Sequence, residues 1–489
     1  MMALQELRIP GVSFIAVAPE VILSAGGLVL LVTGSFLKGR ATVLFMSLLT
    51  LTGAAVAAVL SAGRDFTAFS GAVVLDDFAV FVKLILLAVA AISILVSGQL
   101  LDDERAPAPE FLGLVMFATA GMMLMASASD LMLLFLALET FSLALYVLVA
   151  FRRGRADSQE GALKYFLMGS FSSAFFLYGI ALVYGATGTT RLEGIRAYAR
   201  EIPVLGQGLL AAGLALLLVG LAFKVAAVPF HMWTPDAYQG APSPVAGFMA
   251  AGSKAAGFAA LIRVLFSVFP SLVWDWRPVI VILSVISMVV GSVVAIVQTN
   301  VKRMLAYSAI AHSGFLLVGV ASANSRGVSG ALFYLGAYAV TVLGAFAVVY
   351  GVGRPGEPFV HIQNYRGLGK TRPFLAWTLV LFLASLAGIP PTAGFFAKFE
   401  VLSAAVSAGL TGLAVVAVVA SAAAVFFYFR IIWLMFFEEP EGWAEGAEQP
   451  ATALPLGLAV ILTAVAVAFL GIVPGIVLDL ASSSLPGLP

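Results

Sequence analysis

Long apolar stretches separated by short polar segments follow one another along almost the whole chain. A helix that crosses the hydrocarbon core of a membrane needs about 20 predominantly apolar residues. By that measure the pattern predicts an all-α polytopic membrane protein with about fourteen transmembrane helices. We number these spans 1 to 14, and they lie near residues 13–37, 41–61, 75–99, 109–127, 130–151, 162–186, 204–229, 244–268, 277–298, 303–322, 329–351, 373–405, 410–436 and 452–475.

Two of the predicted spans are interrupted. Span 7 meets Pro229 shortly after Lys224, and span 12 contains Gly-Ile-Pro-Pro at 388–391, shortly before Lys398. Proline and glycine break the ladder of backbone hydrogen bonds, and lipid supplies no replacement partner, so such breaks lie inside protein or beside water. We therefore predict that helices 7 and 12 are broken, a feature with which transporters build their sites.

The spacing of polar residues in the spans indicates an internal repeat. Glu139 in span 5 precedes Lys224 in span 7 by 85 residues, and His312 in span 10 precedes Lys398 in span 12 by 86. The two sets are thus five spans apart. Because five is an odd number, the two units must cross the membrane in opposite senses, which predicts an inverted-topology repeat.

Composition agrees with a membrane protein and excludes several kinds of site. The chain has 62% hydrophobic and 10% charged residues, whereas soluble proteins have about 25% charged residues. Its net charge of +1 gives no sign of a nucleic-acid partner. Without cysteine the chain can form no thiolate zinc site and no cysteine-ligated iron–sulfur cluster. The segment 364–371 ends like a phosphate-binding loop, but Asn364 stands where the first glycine is required.

The basic residues predict the orientation of the helices. Of the 26 lysines and arginines, twelve lie in loops that follow odd-numbered spans, seven lie on the other side and seven lie within spans. Loops rich in lysine and arginine usually stay in the cytoplasm. The acidic loop at 438–448 falls on the same side, but acidic residues weigh little in this rule. Both termini are therefore predicted to lie on the outer side of the membrane.

Three lysines and one glutamate lie deep in the predicted spans. Lys254 is near the middle of span 8, Lys224 and Lys398 adjoin the two breaks, and Glu139 is in the middle of span 5. A charge inside a membrane is costly, and such residues usually face the bundle interior and mark an ion or proton path. We predict a switchable pair of Glu139 and Lys224, although Glu139 as a passive counter-ion is the alternative. Protons would then move through Lys254 towards Lys398.

Four other basic residues in the spans have a simpler interpretation. Lys164, Arg263 and Arg430 lie close to helix ends, where a long side chain can extend its charge to the membrane surface. Lys83 lies deeper, and for it both this interpretation and a functional one stay open. Asp130, at the start of span 5, is expected to cap that helix.

Only His312 of the three histidines lies inside a predicted span. A histidine there can relay protons near neutral pH or simply form a hydrogen bond. His231 lies in the turn after span 7, and His361 lies in a polar loop, where we expect it to be solvated. Three scattered histidines do not indicate a metal site.

Several stretches carry a resemblance to a known family. They are PEVILSAGGLVLL in span 1, the sequence through spans 4 to 6, AFKVAAVPFHMWTPDAYQGAP, NVKRMLAYSAIAHSGFLLVG and SLAGIPPTAGFFAKF. The chain closely resembles the subunit N family of bacterial NADH–quinone oxidoreductase, or respiratory complex I, within the antiporter-like membrane subunits. Lys398 favours subunit N, since the similar subunit M carries glutamate there, and the length argues against subunit L.

The resemblance implies the organisation of the chain and its key residues. Each five-helix repeat would form a proton half-channel, with Glu139, Lys224, Lys254 and Lys398 at the positions of the family's key residues. Its parts would be an N-terminal three-helix segment at 1–107, inverted repeats of helices 4–8 and 9–13 at 108–275 and 276–437, and an acidic loop with helix 14 at 438–489.

The resemblance also implies cofactors and partners. In that family NADH, FMN, the iron–sulfur clusters and quinone belong to other subunits, so we expect no cofactor bound by this chain. The expected neighbours are the antiporter-like subunit M and the small subunit K, with the peripheral redox arm reached indirectly. The expected function is proton translocation coupled to electron transfer from NADH to quinone, as one subunit of a translocase without a redox centre of its own.

Other functions fit part of the same pattern. A subunit of a multi-subunit cation (Na+)/proton antiporter would share these helices and lysines without any link to NADH. A membrane subunit of an energy-converting hydrogenase is a third interpretation. A purely structural spacer is disfavoured, because stability alone does not require costly buried charges.

Overall fold

Helices make up almost all the regular structure of the chain. The computed structural model describes residues 14–34, 36, 39–104, 106–201, 208–353, 360–440 and 453–486. Its α-helices are α1 (Ala18–Gly34), α2 (Arg40–Leu60), α3 (Asp77–Asp103), α4 (Ala108–Ser127), α5 (Leu131–Val149), α6 (Ala156–Thr187), α7 (Leu192–Glu201), α8 (Gly208–Lys224), α9 (Trp233–Gly240), α10 (Ser243–Phe248), α11 (Lys254–Ile262), α12 (Val273–Ile296), α13 (Val301–Ser322), α14 (Ser325–Val352), α15 (Leu368–Thr371), α16 (Pro373–Ala387), α17 (Ala393–Ser407), α18 (Thr411–Phe437), α19 (Leu454–Ile472) and α20 (Gly475–Ser483). Two π-helical segments, Met249–Ser253 and Arg263–Val268, precede and follow α11. Short 3-10 helices occupy Phe14–Val17, Phe69–Gly71, Pro270–Leu272 and Ile362–Tyr365.

The predicted membrane spans are present in the structure. Among the described residues, twelve helical segments are long and apolar enough to cross a membrane, and α8 and α16 are shorter apolar helices. These fourteen segments correspond in order to the fourteen predicted spans. The two short helices belong to spans 7 and 12, in which the sequence predicts breaks. The prediction of an all-α polytopic membrane protein with two broken helices is confirmed.

Three spans form the centre of the bundle. They are α13, α14 and the segment Ser243–Val268, in which almost every side chain is buried. The outer helices α2, α6 and α18 instead turn large apolar side chains away from the protein, for example Phe45, Phe171 and Val419. Hydrocarbon chains suit such faces, because no polar backbone group needs a partner there. The outer helices therefore shield the central spans from lipid.

Small residues bring helix backbones close together. A Cβ atom added at Gly291 of α12 would lie 2.5 Å from the backbone nitrogen of Ala311 in α13. A Cβ atom added at Gly314 of α13 would lie 2.5 Å from Cγ of Met288 in α12. Such close approach replaces the hydrophobic driving force that is missing between helices in lipid.

Polar side chains cap the N-termini of several helices. Asp130 caps α5, because its Oδ1 accepts a hydrogen bond from the backbone N–H of Met132 at 2.8 Å. Asn300 caps α13 in the same way, accepting from the N–H of Lys302 at 2.9 Å. These bonds satisfy backbone donors that have no partner inside the helix. The predicted cap at Asp130 is confirmed.

A short β-hairpin precedes α3 and is absent from the sequence prediction. Strand β1 (Phe66–Ala68) pairs antiparallel with β2 (Val73–Leu75). Its buried side chains pack on Ala16 and on Val80 near the start of α3. Strands of three residues are too short to show an alternating pattern, so the sequence gives no signal for them.

The two broken spans place a lysine beside each interruption. In span 7, α8 ends at Lys224 and an irregular turn follows before α9 begins. In span 12, α16 ends before Gly388, whose φ of 85° lies in the left-handed region that favours glycine. Lys398 follows in the second turn of α17.

Part of the predicted charge pattern lies outside the described residues. This applies to most of the acidic loop at 438–448, and to Arg8, Lys38, Arg105 and Arg354 in the loop count.

Candidate functional site

Lys224 is buried where α8 meets α5 and α6. Its Nζ donates hydrogen bonds to Ser142 Oγ at 2.8 Å and to the Tyr165 hydroxyl at 3.3 Å. The same Nζ lies 4.2 Å from the centre of the Phe141 ring, and the face of an aromatic ring attracts a cation. All these partners are neutral groups.

Glu139 lies next to Lys224 without touching it. Glu139 precedes Ser142 by three residues on α5, so the two side chains share one face of that helix. Ser173 of α6 donates a hydrogen bond to the Glu139 carboxylate. A cavity of about 10 Å³ is lined in part by Lys224, Ser142 and Ser173, roughly the volume that one water needs. Among the described residues, no direct ion pair joins Glu139 to Lys224.

Lys254 is the first residue of α11 and follows a π-helical segment. Its Nζ donates to the carbonyl oxygen of Ala309, and to Ser313 Oγ at 2.6 Å. Ser313 Oγ in turn donates to the carbonyl oxygen of Val225 at 2.5 Å. Because Val225 directly follows Lys224, Ser313 connects Lys254 with the break in span 7.

His312 lies inside α13 and is buried. Its Nδ1 shares a hydrogen bond of 2.6 Å with the Tyr334 hydroxyl, and its Nε2 lies 3.4 Å from the Tyr428 hydroxyl. The ring of Tyr338 lies between this histidine and Lys254. Its centre is 4.9 Å from the centre of the His312 ring and 5.1 Å from Lys254 Nζ.

Lys398 is buried beside the break in span 12. Its Nζ donates to the carbonyl oxygen of Ala387 and to Ser421 Oγ, both at 2.8 Å. Ala387 ends α16, so its carbonyl lacks a helical partner and the lysine supplies one. The Phe315 ring lies 4.6 Å from Lys398 Nζ and 6.1 Å from the His312 ring, measured to ring centres.

The structure thus places four of the five predicted site residues in one series through the centre of the bundle, and Glu139 lies beside its first member, Lys224, without contacting it. Serine hydroxyls and aromatic rings, rather than direct ion pairs, fill the intervals between neighbours. Among the described residues, none of the three lysines of the series forms an ion pair. The order along the series is Glu139, Lys224, Lys254, His312 and Lys398.

Two other buried basic residues have acid partners. Lys83 Nζ of α3 lies 2.8 Å from Glu20 Oε1 of α1. Arg263 donates two hydrogen bonds of 2.8 Å to the carboxylate of Asp76, which caps α3. The interpretation of Arg263 as reaching the membrane surface is wrong, because its guanidinium is buried and its length serves to reach Asp76. The sequence analysis did not identify Glu20 as the partner of Lys83, although Glu20 belongs to the motif PEVILSAGGLVLL in span 1.

Lys164 and Arg430, the remaining basic residues in the predicted spans, differ in exposure and in their partners. Lys164 is 45% exposed and lies 2.7 Å from Glu160 and 2.8 Å from Asp236, which agrees with a place near the membrane surface. Arg430 is half-buried, and its Nη1 donates to the carbonyl oxygen of Ile296 at 2.9 Å. Arg430 therefore closes the end of α12 rather than extending into solvent.

A further group of charges was missed by the sequence analysis. Asp236 of α9 accepts hydrogen bonds from Lys164 at 2.8 Å and from Arg303 at 2.5 Å. Lys302 is buried, and its Nζ donates to the carbonyl oxygen of Gln239 at 2.7 Å. These bonds tie α9 to α6 and α13. In the sequence, Lys302 and Arg303 are counted as loop charges. Their contacts with α9 form only when the chain folds.

The hydroxyl groups around the lysines also carry no sequence signal. Serine and tyrosine are common in membrane helices, and many serine hydroxyls bond only to their own helix. Nothing in the spacing distinguishes those from the ones that reach a lysine. The hydroxyl residues in contact with the three lysines are Ser142, Tyr165, Ser313, Tyr338 and Ser421. Within the described ranges, no three histidine, aspartate or glutamate side chains are grouped so as to hold a metal ion.

A bundle of about fourteen apolar helices, in which two broken helices each present a buried lysine, defines the class of antiporter-like membrane subunits. The family described as "NADH:quinone oxidoreductase/Mrp antiporter, TM" matches residues 128–424, from the start of α5 into α18. A chain of the Mrp complex from a Dietzia species has the same fold, with a TM-score of 0.86 at 22% identity over 97% of this chain and 98% of that one.

Within this class the similarity is more specific. The chain is 45% identical over 470 residues to NADH-quinone oxidoreductase subunit N of Trichlorobacter lovleyi, covering 96% of each protein. It also matches a chain of respiratory complex I from Thermus thermophilus with bound aureothin, with 37% identity and a TM-score of 0.80 over 95% of this chain and 99% of that one. The chain belongs to the NADH-quinone oxidoreductase subunit N family.

Proposed function

We propose that this chain is a proton-translocating membrane-arm subunit of an NADH–quinone oxidoreductase. It couples electron transfer from NADH to quinone to proton movement across the membrane. The observation that carries the proposal is that Lys224, Lys254 and Lys398 are buried with hydroxyl and carbonyl partners only. A lysine with neutral partners can lose its proton without leaving a carboxylate unpaired, whereas Lys83 lies 2.8 Å from the carboxylate of Glu20.

Each residue of the series has a role in this proposal. Glu139 and Lys224 exchange a proton at one end, by way of the water-sized cavity between α5, α6 and α8. Lys254 holds the central position. His312 relays protons between Lys254 and Lys398, since its two ring nitrogens can accept and donate in turn.

The two broken helices belong to separate half-channels. In the proposal, the inverted five-helix repeats at 108–275 and 276–437 each contain one break and one lysine beside it. The three-helix segment at 1–107 and the final segment at 438–489 flank them. The two breaks lie in spans 7 and 12, and this separation of five spans supports the division.

The subunits that bind NADH, FMN, iron–sulfur clusters and quinone are other members of the complex in this proposal. Subunits M and K are the neighbours in the membrane arm. The chain crosses the bacterial inner membrane many times, with both termini on the periplasmic side. The support is that the relatives are named as subunits of NADH-quinone oxidoreductase and that the matching structure is a respiratory complex I.

The first test is purification of the chain from native membranes in a mild detergent, with mass spectrometry of the proteins that accompany it and an assay of NADH–quinone activity. Flavin and iron–sulfur subunits with this activity are the expected result. Small membrane partners without redox subunits would contradict the proposal and assign the chain to the cation/proton antiporters, whose transport would then depend on sodium.

The second test addresses the proton path. Glu139→Gln and Lys224→Ala should each lower proton uptake per NADH oxidised by about tenfold or more in reconstituted liposomes, because each removes a group that carries the proton. Lys370→Gln is the matched control, since Lys370 is exposed and pairs with the exposed Glu439. Normal assembly with unchanged proton uptake in both site variants would exclude the proposed pair.

A further inference from the structure

A cleft of about 1030 Å³ opens on the outer face of the bundle between α4, α5 and α6. Three arginines and two glutamates line it, and Asp157 pairs with Arg155 beside it, so the charges balance. Apolar side chains such as Leu163 form its wall on the lipid side. Charged side chains of a membrane protein face water or one another. The charged part of the cleft is therefore open to water at the membrane surface.

A second and much smaller cavity lies deeper, beside Lys224. Its volume is about 10 Å³, and Lys224, Ser142 and Ser172 are among the residues that line it. Within the described part of the chain, Tyr146 is the only residue that lines both the cleft and this cavity. Tyr146 follows Ser142 by four residues on α5, so the two side chains lie on one face of the helix. Tyr146 thus stands at the boundary between the two spaces.

The ring of Tyr146 is buried and held in this position by α6. It packs edge to face against Tyr165 and Phe166, with ring centres 4.7 Å and 5.5 Å apart. Such ring pairs contribute about 0.5–1.5 kcal/mol each. The hydroxyl end lies against α6 at Gly169, where an added Cβ atom would overlap the hydroxyl oxygen. The missing side chain of Gly169 therefore provides the room in which the tyrosine fits.

We propose that Tyr146 is a gate between the surface cleft and the cavity beside Lys224, and that water delivers protons to Glu139 and Lys224 when the ring turns aside. This inference rests on the proton path proposed above and adds a positioning residue that carries no proton itself. With the ring in place the two spaces are separate, and the inner one has room for about one water. A closed gate keeps a proton at Lys224 from returning to the surface by this route.

The experiment measures how easily a reagent from water reaches the inner cavity in the purified complex. The chain has no cysteine of its own, so Ser172→Cys places a single reporter thiol in this subunit. A small water-soluble methanethiosulfonate should modify it slowly, as followed by mass spectrometry of the subunit. Adding Tyr146→Ala should raise the rate by about tenfold or more, because modification no longer waits for the ring to move.

Three further variants show whether the ring itself closes the cavity. Gly169→Ala should also speed modification, since the added methyl group displaces the end of the tyrosine, and it serves as the test if Tyr146→Ala does not assemble. Tyr146→Phe keeps the ring and should keep modification slow. Leu163→Ala is the matched control, because Leu163 lines the cleft but not the inner cavity, and it should leave the rate unchanged.

Proton uptake separates the gate from the path. Tyr146→Ala should lower the number of protons taken up per NADH oxidised, because protons can return through the opened cavity. Rapid modification of Ser172→Cys with Tyr146 in place, no increase in either Tyr146→Ala or Gly169→Ala, or an equal increase in Leu163→Ala would overturn the gate. Unchanged proton uptake in Tyr146→Ala would overturn its role in proton delivery. The modification itself needs no proton transport, so failure of the Glu139→Gln and Lys224→Ala test would remove the proposed path without altering these rates.

Discussion

At the scale of single residues, Lys83 and Lys254 are almost equally buried but have different partners. Lys83 lies beside the carboxylate of Glu20, whereas Lys254 contacts a hydroxyl and a carbonyl oxygen. Removing one member of a buried ion pair leaves the other charge without compensation, so Lys83 and Glu20 depend on each other. Burial alone therefore does not distinguish Lys83 from the lysines of the proposed proton path, whereas the chemistry of their nearest atoms does.

Ser313 provides a test at this scale. Ser313→Ala should slow coupled proton movement about tenfold, because Lys254 loses a hydrogen bond and one to a charged group contributes about 1.5 kcal/mol or more. Proton uptake by reconstituted complex during NADH oxidation is the measurement. Ser322→Ala is the matched control on α13, since the Ser322 hydroxyl bonds only to Val318 of its own helix. Equal activity of both variants would count against a role for Ser313, and Ser313→Thr should restore most of the rate.

At the scale of helices, each break frees a backbone carbonyl that another group then satisfies. The carbonyl oxygen of Phe223 accepts from the backbone N–H of Ala226 at 3.0 Å, in place of its helical partner, and from the indole N–H of Trp233 at 3.2 Å. The carbonyl oxygen of Ala387 accepts from Lys398. Since lipid offers no donor, these contacts make it possible to interrupt a helix inside a membrane. In span 12, one lysine thus serves both the fold and the site.

Gly388 tests the geometry of that break. A Cβ atom at this position would lie 2.9 Å from Lys398 Cδ, and the left-handed backbone costs a non-glycine residue about 1–2 kcal/mol. Gly388→Ala should therefore lower the thermal stability of the detergent-purified chain by about that amount and also reduce proton uptake. Gly412→Ala in α18 meets no atom within 4 Å and should leave both unchanged. Full activity of Gly388→Ala would show that Lys398 need not keep this position.

What the sequence predicts, and what it does not, follows from the range of each interaction. Length and apolarity are local properties, and so the fourteen spans and the breaks beside Lys224 and Lys398 can be predicted. The pair of Arg263 and Asp76 joins residues 187 positions apart, and nothing local at Arg263 indicates its partner. The contact of Ser313 with Lys254 likewise depends on how α13 packs against α11.

At the scale of the whole molecule, one charged contact joins the N-terminal helices to the span that carries Lys254. Asp76 lies just before α3, and Arg263 follows α11 at the start of a π-helical segment. Arg263 also donates to the carbonyl oxygen of Ala126 at the end of α4. Three parts of the chain that are distant in sequence thus meet at one guanidinium.

Asp76→Asn should destabilise the molecule. Breaking a buried ion pair by removing one partner costs about 3 kcal/mol, whereas Asp102→Asn, which removes an exposed pair with Arg40, should cost less than about 1 kcal/mol. Thermal unfolding of the purified chain in detergent at neutral pH measures both. Equal stability of the two variants would contradict a structural role for the Asp76 contact.

Acid should remove this difference. Burial opposes ionisation of Asp76, but the charge and hydrogen bonds of Arg263 outweigh it and hold the pKa of Asp76 below its ordinary value. The folded state therefore binds the proton less readily than the unfolded state, and the extra stability is complete above the ordinary pKa of about 3.9. It is lost as the pH falls through the lower folded value. The unfolding midpoints of the native chain and Asp76→Asn should converge in that range, and a constant difference would argue against this origin.

The hydroxyl of Ser313 has a single hydrogen atom, and that atom is already committed to backbone carbonyls. It points to Val225 at 2.5 Å, with Ala309 at 3.2 Å, so Lys254 meets only lone pairs of the oxygen. A carbonyl oxygen is too weak a base to keep a proton handed on to it. In this conformation Ser313 therefore links Lys254 to the break beside Lys224 by hydrogen bonds but cannot pass a proton between them. In the proposed path, proton transfer between the two lysines therefore requires the Ser313–Val225 hydrogen bond to open.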